Sequence, residues 1–190
     1  LHANYGQRTE KRELQAFHEI AEYYNVDKKL ILDFTHLSKI GGSSLTDFDI
    51  EVTNANLNNS EIPNSYVPFR NANILSAAVS WAEVLNANAI YIGAVEEDSS
   101  GYPDCRRSFY DAFEKTIEEG TKPDTNLKII TPLINISKKE IIEKGFQINA
   151  PLDLSWSCYK SNEVPCEQCD SCALRQRGFK LAGKIDPILT

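Results

Sequence analysis

The stretch from Ala89 to Val95 is apolar without a break. A short continuous run of this kind is the signature of a strand buried on both faces of a parallel sheet. Parallel strands need crossover connections, normally helices, so the rest of the chain should alternate between the two patterns. It does. Strands are expected at the very start, at Lys29 to Phe34 and at Leu127 to Leu133. Helical periodicity runs from a Thr9 cap to about Asn25, with Leu14, Phe17, Ala21 and Tyr24 on one stripe. It recurs from Asn71 to Leu85, with Ile74, Ala78, Ala82 and Leu85 in register.

A third helix is expected after Pro103, with Phe109, Phe113 and Ile117 inward and Gly120 closing it. Ser137 and Glu140 have the spacing of a capping box for a fourth, which Gly145 would end. The expected class is therefore α/β with a doubly wound parallel sheet, Rossmann-like in type. The polar stretch from Thr35 to Pro68 has little periodicity and is too long for a simple connector, so a functional or partly mobile loop is expected there.

Four cysteines, Cys158, Cys166, Cys169 and Cys172, crowd the last fifth of the chain as C-x7-C-x2-C-x2-C. Thiolates are soft ligands that suit Zn²⁺, and C-x-x-C steps let adjacent turns aim two sulfurs at one ion. The fifth cysteine, Cys105, offers no evident disulfide partner, and no secretory leader or membrane-spanning run is read, so a reducing, cytoplasmic setting and zinc are expected over disulfides. Four thiolates also suit an iron–sulfur cluster. A set of four cysteines closes the tetrahedron, which makes the zinc structural. With 190 residues and 42% hydrophobic composition, the chain reads as an α/β domain over 1–150 carrying a small zinc-binding segment over 151–190.

The net charge is −7. From Cys158 onward Lys160, Arg175, Arg177, Lys180 and Lys184 face Glu163, Glu167, Asp170 and Asp186, a balance that does not make a phosphate-tracking patch, so direct nucleic-acid binding is not expected. His2, His18 and His36 have no ligand-like spacing. Trp81 reads as core, and Trp156, beside Cys158, would shield the metal or stack on a flat substrate.

Ligands of doubly wound folds bind at the carboxyl ends of the strands. Two polar clusters follow expected strands: Asn4-Tyr5-Gly6-Gln7-Arg8, and the run from Glu96 to Arg107. Both are expected to face one cleft. A third, Val67-Pro68-Phe69-Arg70-Asn71, opens a helix and would offer Arg70 and backbone N–H groups to an anion. Each has a plainer alternative: Gln7 and Arg8 as first-turn caps, Glu96, Glu97 and Asp98 as a solvated acidic turn, Asp104 as an N-cap, Cys105 as a small core residue.

These runs, with Glu-Glu-Asp-x-Ser-Gly-Tyr-Pro-Asp-Cys-Arg and the four-cysteine tail in the same order, closely resemble the 7-cyano-7-deazaguanine synthase family over essentially the whole chain. The resemblance implies an adenine-nucleotide-hydrolase-like fold of the ATP-pyrophosphatase type. It also implies an enzyme, a carbon–nitrogen ligase that converts 7-carboxy-7-deazaguanine and ammonia to the nitrile with ATP and Mg²⁺, through an amide, on the route to queuosine and archaeosine. A homodimer is implied as well.

On that resemblance Arg106, Asp104 and Cys105 are expected to be catalytic. Gln7, Arg8, Glu97, Asp98, Tyr102 and Arg107 would hold the substrate, and Tyr5, Arg70 and Asn71 the nucleotide. Two departures stand out. The family opens with a strand and a Ser-Gly-Gly-x-Asp-Ser phosphate loop that this sequence does not contain, so a further strand-loop-helix unit of about 30 residues is expected upstream of Leu1. Phe69 also stands where many members carry Gly. Two other classes fit parts of the pattern: a transfer-RNA sulfur-transferring enzyme of the same fold, and a non-enzymatic zinc-stabilised binding module. The first would need a reactive cysteine pair and a basic RNA face, and the second leaves Ser-Gly-Tyr-Pro-Asp-Cys-Arg without purpose.

Overall fold

The computed structural model describes residues 1–57, 61–96 and 101–189. In chain order the elements are β1 (His2–Asn4), α1 (Glu10–Tyr23), β2 (Ile31–Asp33), α2 (His36–Ile40), α3 (Arg70–Leu85), β3 (Ala89–Tyr91), α4 (Arg107–Gly120), β4 (Lys128–Ile130), α5 (Lys138–Gln147) and α6 (Asp170–Leu181). The protein is α/β with parallel strands. β1 pairs with β2 in the register Ala3 to Leu32, and β3 with β4 in the register Ile90 to Ile129. The chain divides into two compact units, Leu1–Pro68 with Ser137–Thr190, and Phe69–Ile136.

In the second unit α3 and α4 pack with the β3–β4 pair around Leu75, Ala82, Ala94, Tyr110, Ile117, Leu127, Ile129 and Ile134. Phe109 and Phe113 pack against this core, as their spacing with Ile117 implies. The buried face of α3 is turned from the expected stripe: Ala72, Leu75 and Ala82 are buried. The apolar run after Asn88 is not a strand covered on both faces. Regular pairing stops at Tyr91, which is 74% exposed, although Ile92 still donates to the Ile130 carbonyl and Ala94 and Val95 are buried.

In the first unit α5 packs on α6. Gly178 makes their approach possible, because a Cβ there would lie 2.9 Å from Ile142 Cδ1 and from Lys138 Cβ. α1 buries Ala16 and Ala21, while Phe17 stacks on His2 with ring centroids 5.3 Å apart; Tyr24, expected inward, is exposed. Thr9 precedes α1, but its hydroxyl donates to Glu13 Oε1 instead of capping the backbone. The Ser137–Glu140 capping box is complete.

Helix ends rest on asparagine more than on the expected glycines. Asn25, Asn86 and Asn149 all have positive φ just past α1, α3 and α5. The N–H of the next residue returns each time to the carbonyl five back: Val26 to Ala21, Ala87 to Ala82 and Ala150 to Gly145. Asparagine tolerates the left-handed conformation that this closing motif needs. α5 therefore runs through Gly145 to Gln147.

Among the described residues of Thr35 to Pro68, α2 is the regular part. Ser43, Ser44, Leu45, Thr46, Val52, Ser65 and Val67 are nevertheless buried, so this stretch is packed where it is described. Part of its polar backbone is satisfied by the Arg8 side chain.

Candidate functional site

Gly6 lets the chain turn after β1. Its φ is +76°, and a Cβ would meet Ser38 Cβ and Oγ at 2.9 Å. The turn buries Tyr5 and Gln7. Gln7 Oε1 accepts the Tyr5 N–H at 2.8 Å and Gln7 Nε2 donates to Glu13 Oε2 at 3.1 Å, so its amide is engaged in shaping the turn. Arg8 does not cap α1. Its Nε donates to the Ser44 carbonyl at 2.7 Å, and its Nη2 to those of Asp47 and Ile50 at 3.0 and 2.8 Å. Phe48 covers the guanidinium at 4.6 Å. One rigid fork thus gathers the carbonyls of a loop with no ladder of its own.

In the second unit Asp104 is buried, in a single turn of tight helix over Pro103–Cys105. Its Oδ2 accepts the Asn71 N–H at 3.0 Å, and Asn71 Nδ2 donates to the Asp104 carbonyl at 3.0 Å and to Cys105 Sγ at 3.3 Å. The α3 amide expected to serve an external anion is therefore held by the chain's own carboxylate. The first residue of α4 is treated alike: Glu96 Oε2 accepts the Arg107 N–H at 2.7 Å. Carboxylates suit helix N-termini because they meet both the open N–H groups and the positive end of the dipole.

Tyr110 donates to the Asp104 carbonyl at 3.2 Å. Burial pushes its phenol well above the usual range, and the neighbouring Cys105 and Asp104 add to this while Arg70 opposes it. Tyr102 is buried and its carbonyl accepts the Cys105 N–H. Arg107 is engaged by Asp111 through Nε at 2.8 Å and Nη2 at 2.6 Å, and by Thr131 Oγ1 through Nη1 at 2.9 Å. Arg106 is exposed, with no ion-pair partner among the described residues. Glu97 and Asp98 lie outside the described residues.

The four tail cysteines converge. Their Sγ atoms lie within 4.8 Å of one another, with Cys166 and Cys172 at 4.0 Å. Tetrahedral Zn–S bonds of about 2.3 Å put sulfurs about 3.8 Å apart, so the set can hold such an ion. Glu167, at φ +59°, makes the bend of the first C-x-x-C step, and α6 starts after Cys169 with Cys172 in its first turn. The N–H groups of Lys160, Ser161 and Cys166 reach Cys158 Sγ at 3.3–3.4 Å, and that of Cys169 reaches Cys166 Sγ at 3.4 Å. Donors aimed at sulfur favour thiolate. The Cys169 and Cys172 thiols hold Cys158 far below the ordinary thiol range, and contact with Cys158 and Cys169 pushes Cys172 far above it. Trp156 lies beside this site with Arg12 over its ring at 4.9 Å.

The signal missed in the sequence joins the metal loop to the Arg8 turn. Asn162 Nδ2 donates to the Arg8 carbonyl at 3.1 Å, and its Oδ1 accepts the Arg12 N–H at 3.1 Å. Ala55 N–H donates to the Gln168 carbonyl at 2.8 Å, and Lys160 Nζ to Asn54 Oδ1 at 3.0 Å. Nothing local in the sequence marks pairs so distant.

The family described as "Queuosine biosynthesis protein QueC" matches residues 1–183. A protein of Chloroherpeton thalassium named 7-cyano-7-deazaguanine synthase is 61% identical over 188 residues, which is 99% of this chain and 83% of that one. Proteins of the same name from Chlorobaculum parvum and Chlorobium limicola are 57% and 55% identical over the same shares. The turn that buries Asp104, the packed Arg8 loop and the converging cysteines thus belong to a member of the QueC family.

Proposed function

We infer that this protein is an ATP-dependent ligase of queuosine biosynthesis that forms 7-cyano-7-deazaguanine from 7-carboxy-7-deazaguanine and ammonia. Identity of 55–61% to relatives named for that product, over nearly the whole chain, is the observation that carries the reading. A carboxylate is a poor electrophile, so ATP converts one of its oxygens to a phosphate leaving group. Ammonia displaces that group to give the amide, and a second activation followed by loss of the amide oxygen leaves the nitrile.

Two anions side by side need fixed cations. Arg106 is assigned to the developing phosphate leaving group, and Arg70 and Tyr5 to the nucleotide. Mg²⁺ would neutralise the phosphates further. Arg107 and Gln7, each engaged within the chain, position the segments that carry the ligands. Asn71, Asp104 and Tyr102 do the same for Cys105. Glu97 and Asp98, outside the described residues, remain assigned to substrate binding. Arg8 is assigned to the substrate.

Zinc is the ion we assign to Cys158, Cys166, Cys169 and Cys172, where it would staple the 151–190 segment beside the 1–150 nucleotide- and substrate-binding part. The strand-helix alternation supports a doubly wound fold. A cytoplasmic homodimer fits this reading, and no helix among the described residues is long and apolar enough to cross a membrane. The test is mass spectrometry of products from the zinc-loaded full-length protein with the carboxylate, ammonia and ATP. Amide followed by nitrile is expected. ATP consumption without either product would overturn the reading. Nitrile formation by Cys105→Ala would assign Cys105 to packing and exclude a thioimidate route.

A further inference from the structure

In the first unit a cavity of about 330 Å³ is lined by Arg8, Phe48, Asp49, Glu51, Val52 and Lys160. Its volume falls within the range of small-molecule sites. Three of the five Arg8 N–H bonds go to the Ser44, Asp47 and Ile50 carbonyls, whereas Nη1 has no acceptor among the described residues. A guanidinium held rigidly by its other donors presents that end at a fixed place, with little side-chain entropy left to lose on binding an anion. Lys160 adds a second positive charge. It is held by Asn54 and by its own N–H, which reaches Cys158 Sγ at 3.4 Å. Phe48 and Val52 are its apolar lining, and Asp49 and Glu51 line it too and can act as acceptors.

Cations, an aromatic surface and carboxylates around one small cavity match a flat heterocycle that bears N–H donors on one edge and a carboxylate elsewhere. We propose that this cavity binds the carboxylated heterocycle, a choice of ligand that rests on the function inferred above. Arg8 and Lys160 meet its carboxylate, Glu51 and Asp49 accept its ring and amino N–H groups, and Phe48 packs on the ring. Lys160 and Asn162 belong to the cysteine loop, so the metal segment also forms part of the substrate wall.

The test is calorimetric titration of the full-length, metal-containing protein, without ATP, using 7-carboxy-7-deazaguanine and unsubstituted 7-deazaguanine as probes. Wild type should bind the carboxylate the more tightly. Lys160→Gln should weaken the carboxylate about tenfold and leave the unsubstituted ring unchanged, the loss expected of one charged hydrogen bond. Phe48→Ala and Glu51→Gln should weaken both probes. If Phe48→Ala disturbs the Arg8 loop, as circular dichroism would reveal, Lys160→Gln and Glu51→Gln decide. Wild-type affinities in those two variants, or no binding of either probe by the wild type, would overturn the proposal. Nitrile formation with unchanged variant affinities would retain the function and reject the cavity; the expected affinity losses without any nitrile would do the reverse.

Discussion

The carboxylate of Asp104 accepts the backbone N–H of Asn71 at 3.0 Å, so helix α3 is capped from 33 residues further along the chain. Residue 69, where the side-chain cap of α3 would normally sit, is Phe, which has no acceptor. Asp104→Ala should therefore cost about 1–2 kcal/mol, near the upper end for lost caps because the group is buried. Asp104→Asn, which keeps an acceptor oxygen, should cost less. Urea unfolding followed by circular dichroism measures both, and equal losses would remove the cap from the explanation.

Phe69 itself sits at φ +57°, in the left-handed region, with its ring 6.2 Å from that of Phe109. Phe69→Gly and Phe69→Ala lose the same ring contact and differ chiefly in backbone strain. The glycine variant should be the more stable by about 1 kcal/mol, the reverse of their order inside a helix. Thermal unfolding of the pair tests this, and an alanine variant at least as stable would refute it.

Purified protein should contain one zinc per chain by elemental analysis. Binding of a structural zinc contributes on the order of 10 kcal/mol, so Cys169→Ser or complete chelation should unfold the 151–190 segment. Because Asn162 and Gln168 bond to the Arg8 turn and to Ala55, hydrogen exchange should quicken there too. Iron in place of zinc, or unchanged protection after chelation, would contradict the assignment.

Ser137→Ala removes the acceptor for the Glu140 N–H and should destabilise the protein by about 1 kcal/mol near neutrality, the usual loss for a serine cap. The Glu140 carboxyl lies below its ordinary 4.5, first because of the Ser137 hydroxyl and then because of the Ser137 N–H. A carboxyl lowered by folding stabilises the native state above its ordinary value, and that contribution is lost as pH falls through the folded value. The gap between wild type and variant should therefore narrow below pH 4.5. Denaturant melts across that range would show it, and a constant gap would not fit.

Much of this protein is determined locally. Apolar runs marked the strands and one-faced apolar periodicity marked α1, α3 and α4, while α6, inside the cysteine segment, went unread; the C-x2-C steps announced a metal set because adjacent turns carry the sulfurs. The capping box was legible for the same reason, its partners being three residues apart. Asparagine as the recurrent helix stop was available in the sequence too, at Asn25, Asn86 and Asn149, but glycine is the stronger prior for a positive φ. What only the tertiary structure decided is which polar groups remain available for ligands. Sequence grouped Gln7, Arg8, Asn71, Asp104 and Arg107 by their place along the chain, yet partners such as Ser44 and Thr131 are far along the chain and engage several of these side chains. Hydrogen-bond satisfaction is settled by whichever donor and acceptor packing brings together, and no local pattern encodes that choice.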